Sequence, residues 1–100
     1  MVKANDPEQR HKSAVITVVG KDRVGIIAAV ATLLADEGVN INDISQTIMQ
    51  GIFTMIMIVD LSEARHDIKA LAASLKTKGE EMDISIRIQH SDIFDAMHRI

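Results

Sequence analysis

Apolar residues recur along this chain with two different periods, and the changes of period divide it into successive elements. Ala14 to Val19 is short and mostly β-branched, the pattern of a strand buried on both faces. From Ile26 the spacing becomes helical: Ile27, Val30, Ala31 and Leu34 fall at i, i+3, i+4 and i+7, predicting a helix of about 14 residues that Gly38 stops. Val39 to Gln50 reads as a second strand interrupted by polar Asn40, Asn42, Asp43, Ser45 and Gln46. A turn at Gln50-Gly51 then leads into Ile52 to Val59, the most apolar stretch of the chain, so the two strands form a hairpin. Alternation puts Phe53, Met55, Met57 and Val59 on one side and Ile52, Ile56 and Ile58 on the other, which makes this strand central. Ala64 to Lys78 is again helical, with Ile68, Leu71, Ala72 and Leu75 on one face, lysines toward its end and Gly79 as the stop. Asp83 to Gln89 alternates strictly, as a strand covered on one face does, and Ser91 to Ile100 reads as a short helix capped by Ser91.

The order βαββαβ predicts an α+β, ferredoxin-like sandwich: a four-stranded antiparallel sheet with two helices on one face, plus the short C-terminal helix. The first and third strands lie side by side in the centre. The opposite face is left bare and still carries apolar residues, either the Met55/Met57 set or the Ile56/Ile58 set, so self-association is expected. Pairing at edge strands is a second route to it.

One hundred residues suffice for one domain. The polar first stretch, with the chain's one proline at Pro7, makes residues 1–13 a flexible lead-in to a single domain over 14–100. With two Phe and no Trp or Tyr, the core falls to aliphatic residues and six adaptable Met. A net charge of −3 argues against nucleic acid as a partner, since a concentrated basic surface is missing. Neither a leader-like apolar segment nor a membrane-length run is present, so a cytoplasmic protein without membrane association is expected.

Chemistry concentrates in Gly20-Lys21-Asp22-Arg23-Val24-Gly25, a loop between the first strand and the first helix. The unbonded N–H groups of a helix's first turn, at its positive dipole end, suit a carboxylate or phosphate. A nucleotide-binding P-loop is excluded, because Ile26-Ile27 stands where Lys and Ser/Thr are needed. His11, His66, His90 and His98 lack metal-ligand spacing, and no serine lies in a nucleophile elbow, so neither a metal, a cofactor nor a catalytic residue is assigned. One enzymatic alternative rests on topology: acylphosphatases share this element order, and Arg23 with Asn40 or Asn42 offers a loose counterpart of their Arg and Asn.

Asp22-Arg23-Val24-Gly25-Ile26-Ile27 followed by Gly38-Val39-Asn40-Ile41-Asn42-Asp43-Ile44-Ser45-Gln46-Thr47 resembles the ACT domain. The likeness is to the small stand-alone ACT proteins of bacteria and archaea, and to the ACT segments of the glycine cleavage system repressor and formyltetrahydrofolate deformylase. It spans about residues 14 to 100, including Ile93-Phe94-Asp95-Ala96-Met97. The resemblance implies a regulatory, non-enzymatic module, often an amino-acid sensor, that acts as a homodimer or higher homo-oligomer with ligand held between subunits. It assigns ligand binding to Asp22, Arg23, Val24, Gly25 and Ile26 of the first loop and to Asn40, Ile41 and Asn42 at the start of the second strand. In that picture Gly25 lets a carboxylate approach the helix, Asp22 receives an ammonium group, and Asn40 comes from the neighbouring subunit. Two departures stand out: Val24 replaces a common Pro, and Asp22 replaces an Asn. An acidic Asp22 favours a neutral or cationic amino acid over aspartate or glutamate. The alternative is an assembly module with a vestigial site, binding itself or an unidentified protein through its bare sheet face and terminal helix.

Overall fold

The computed structural model describes residues 12–91. Its elements run β1 (Ser13–Lys21), α1 (Ile26–Asp36), β2 (Asn40–Met49), β3 (Ile52–Asp60), α2 (Ile68–Met82) and β4 (Ile84–His90). The strands form one antiparallel sheet in the order β2-β3-β1-β4, so the first and third are central, as the ferredoxin-like reading requires.

Burial resolves which face the helices cover. Ala14, Ile16 and Val18 of β1 and Phe53, Met55, Met57 and Val59 of β3 pack with Ile26, Val30 and Leu34 of α1 and Leu71 and Leu75 of α2 in one core cluster. Register makes this face continuous, since Ile16 stands opposite Met57 and Val18 opposite Met55. The methionines are therefore under the helices and the isoleucines face away. On that open face Val15 is buried and Ile58 half-buried, whereas Val19, Met49, Ile52 and Ile56 are exposed. β1 is thus buried along its helix side and only in part on the other, because neither of the described helices lies over the open face to cover Val19.

The helices depart from expectation in length and position. α1 has 11 residues, and the chain leaves it through Gly38 at φ 76°, where the left-handed conformation suits glycine. α2 starts later than the apolar period implies, because Asp67 caps it: its side chain accepts the Ala70 N–H at 2.9 Å. It also continues through Gly79 to Met82 and ends at Asp83, φ 58°, with no basic residue in its last turn. Gly79 is a packing residue, not a stop. The expected hairpin is present, its turn formed by Gln50 and Gly51 with φ of 52° and 80°. Beyond Ser91 the expected terminal helix lies outside the described residues, as does the lead-in up to residue 11.

Register fixes what stands at each end of the sheet. Lys21, Ile52 and Met49 are neighbours at one end, and Ser13, Asp60 and Asn40 at the other.

Candidate functional site

The β1–α1 loop is anchored on both flanks. The Asp22 N–H donates to the Gly51 carbonyl at 2.8 Å, tying it to the β2–β3 turn. The Arg23 guanidinium donates through Nη1 to the Met82 carbonyl at 3.3 Å, tying it to the C-terminus of α2, where a cation meets the negative end of the helix dipole. Gly25 ends the loop at φ 95° and provides no side-chain cap for α1. A Cβ there would meet nothing within 4 Å, so glycine is needed for its backbone angle and not for packing. No side chain caps the first N–H groups of α1.

Lys21, Asp22, Arg23, Met82 and Asp83 line a cavity of about 280 Å³ beside this loop. Its charged groups are balanced between lysine and arginine on one hand and two aspartates on the other, a surface suited to a zwitterion. Val24 projects almost wholly into solvent, while Ile26, named with the loop, is buried in the core and offers only its backbone to a ligand. Met82 and Asp83 carried no sequence signal for this place; they arrive because α2 runs on past Gly79.

The second group of predicted residues lies elsewhere. Asn40 starts β2, its amide Nδ2 donating to Asn42 Oδ1 at 2.8 Å, and Ile41 is half-buried against the core. Asn42 occupies a bulge between Ile41 and Asp43. Around Asn40, the residues Gly38, Asp60, Ser62 and Glu63 line a cavity of about 370 Å³. Asp60 accepts from both the backbone N–H and the hydroxyl of Ser62. Since Asn40 pairs with Asp60 while Lys21 pairs with Ile52, the two groups stand at opposite ends of β3, about 27 Å apart at the strand rise. One protomer cannot bring Asp22 and Asn40 to a common ligand. The same separation, with Arg23 engaged by Met82, takes apart the acylphosphatase-like pair of Arg23 and Asn40 or Asn42. Among the described residues, no cluster of three or more His, Asp or Glu is arranged to hold a metal ion, and no helix is long and apolar enough to cross a membrane.

The sequence profile of the ACT domain matches residues 12–89, a range that takes in the loop, the bulged second strand and all but the last residue of the βαββαβ sheet. This chain belongs to the ACT domain family. The small UPF0237 proteins are its relatives by sequence: that of Clostridium perfringens is 52% identical over 88% of this chain and 99% of its own length, and that of Methanopyrus kandleri 46% identical over 87% and 97%. In structure, an ACT domain protein from Streptococcus pneumoniae superposes with a TM-score of 0.73 at 41% identity, covering 83% of this chain and 93% of that one. A putative glycine cleavage system transcriptional repressor matches with a TM-score of 0.68 at 30% identity, over 77% of this chain and 44% of the repressor chain. ACT domains are generally regulatory modules that bind small ligands, and the matched profile and the fold place this chain among ACT domains.

Proposed function

We propose that this ACT domain binds a small amine-bearing carboxylate, an amino acid with a neutral or cationic side chain, at a site shared by two copies of the chain. The observation that carries the reading is the loop held by Gly51 and Met82 with Gly25 leaving the N-terminus of α1 without a side-chain cap. A ligand carboxylate would take the uncapped N–H groups of α1, and its ammonium group the Asp22 carboxylate. Asn40 of the partner subunit would complete the site, because the Asn40 of the same protomer is a sheet-length away. The bound state would signal through the dimer, in keeping with a regulatory and non-catalytic role. The exposed Ile44, Ile48, Ile52 and Ile56 favour a second reading, an assembly module whose ligand site is vestigial.

A thermal-shift screen against the amino acids and simple one-carbon metabolites, at two protein concentrations, separates these readings. A ligand that binds only the folded state raises the melting temperature, and dimerisation makes that temperature depend on protein concentration. A shift that Asn40→Ala removes supports the shared site. Concentration dependence without any ligand shift favours assembly alone.

A further inference from the structure

The open face of the sheet is buried at one end and bare at the other. Val15 is 1% exposed, whereas Val19, on the same face of the same strand, is 40% exposed. β3 repeats the gradient: Ile58, opposite Val15, is half-buried, while Ile56 and Ile52 are 39% and 48% exposed. All of these residues lie on central strands with a paired strand on either side. Ile58 and Gln89 beside Val15 are longer than Thr54 and Ser85 beside Val19, but a sheet neighbour screens a side chain from the side and leaves its top to water. The core residues of α1 and α2 pack on the other face. Val15 and Ile58 therefore need a cover that neither described helix supplies.

Two segments outside the described residues join the sheet at this end, 1–11 ahead of β1 and 92–100 after β4. Between Ala4 and Ser13 the first holds no apolar residue but Pro7. The second is apolar at Ile93, Phe94, Ala96, Met97 and Ile100. At helical spacing these fall in one arc, with Asp92, Asp95, His98 and Arg99 in the other. It leaves β4 next to the buried end, since Gln89 stands opposite Val15 and His90 opposite Ala14.

We propose that residues 92–100 form a helix that folds back from Ser91 and lies across the open face, apolar arc down, over Val15 and Ile58 of the same chain. Its direction follows from its length. Nine helical residues measure about 13.5 Å. Laid along β1, they would reach as far as Val19, about 13 Å beyond Val15, and Val19 is bare. Laid across strands about 4.8 Å apart, they pass from β4 over β1 to β3, and Met97, about 9 Å along the axis, comes above Ile58. Docked in this way, the segment and the buried end of the face occupy each other and are withdrawn from self-association. Val19, Ile52 and Ile56 remain as the exposed strip, at the end where the Asp22 loop lies. The docking does not depend on the ligand reading above.

Thiol labelling tests it, because the chain contains no native Cys. Met97→Asp puts a carboxylate into the apolar arc. It should raise the maleimide labelling rate of Ile58→Cys at least about tenfold, leave that of Ile52→Cys unchanged and preserve the circular dichroism spectrum of the sheet. Arg99→Asp, on the polar arc, should leave Ile58→Cys slow. With the segment otherwise intact, a short bismaleimide should bridge Ile58→Cys to Met97→Cys within one chain and should not bridge Ile52→Cys to Met97→Cys. An Ile58→Cys rate that Met97→Asp does not raise, or bridging of Met97→Cys to Ile52→Cys as readily as to Ile58→Cys, overturns the proposal. Bridges that join two chains, or protection of Ile58→Cys that is lost on dilution, also overturn it, since the cover is then a second copy.

Discussion

Ile84 is wedged between two glycines: a Cβ on Gly79 would stand 2.7 Å from the Ile84 carbonyl oxygen, and one on Gly20 would stand 2.5 Å from its Cγ2. The first residue of β4 thus lies directly against both β1 and α2. Gly79→Ala brings two opposed effects, a gain of about 1 kcal/mol in helix propensity and an overpacking cost of about 1–3 kcal/mol. The clash is with backbone, which cannot rotate away, so net destabilisation is expected. A lower urea midpoint at unchanged slope would establish it, and a higher midpoint would show that α2 has room to shift.

Asp67 is the residue that decides where α2 begins. Asp67→Ala should cost about 1 kcal/mol, because the Ala70 N–H loses its acceptor. Asp67→Asn should recover most of that loss, and equal destabilisation by both would assign the effect to charge instead of the cap.

Gly25→Ala should destabilise through backbone strain alone, by about 1–2 kcal/mol, since nothing surrounds the added methyl group at φ 95°. Gly25→Asn should be milder, as Asn tolerates positive φ. Thermal unfolding of the two variants, compared without ligand, ranks them; equal losses would point to an unseen steric contact.

Asp22→Ala should weaken the amine-bearing ligand, and Asn40→Ala should do the same if the site is shared. Mixing the two variants then gives heterodimers in which one site has both residues intact and the other has neither. Isothermal titration of the mixture should recover part of the binding absent from either variant. No recovery after subunit exchange would place Asp22 and Asn40 in separate roles.

Arg23→Ala should loosen the loop from α2 without unfolding the domain, because the guanidinium is exposed and its contact is a single hydrogen bond to Met82. Faster amide exchange of residues 22–25 with a near-constant melting temperature is the expected outcome. A large drop in melting temperature would show that the contact supports the fold as a whole.

Element order and the two central strands were legible from period alone, because each element buries one face and the spacing of apolar residues records which. The lower end of α2 was not. In the sequence Gly79 looks like a stop signal, yet the approach of Ile84 makes it a requirement inside the helix, and that contact exists only once β4 has returned beside β1. The candidate site was half legible. Asp22 to Gly25 sit together because they are consecutive in a turn, whereas Asn40 was placed by strand direction, which sends β2 off from the far end of the sheet.

By itself the sequence determined the composition of the core, the βαββαβ order, the Gln50-Gly51 hairpin and the kinship with ACT domains, all of which depend on local spacing and short stretches of residues. Only the tertiary structure decided that Met55 and Met57, and not Ile56 and Ile58, lie under the helices, that Met82 and Asp83 join the Asp22 loop, and that Ile44 and Ile48 stay exposed on β2, the edge of the sheet among the described strands. Alternation along a strand defines two faces but cannot say which one the helices will cover. That choice belongs to the handedness of the crossovers and to packing between elements distant in the chain.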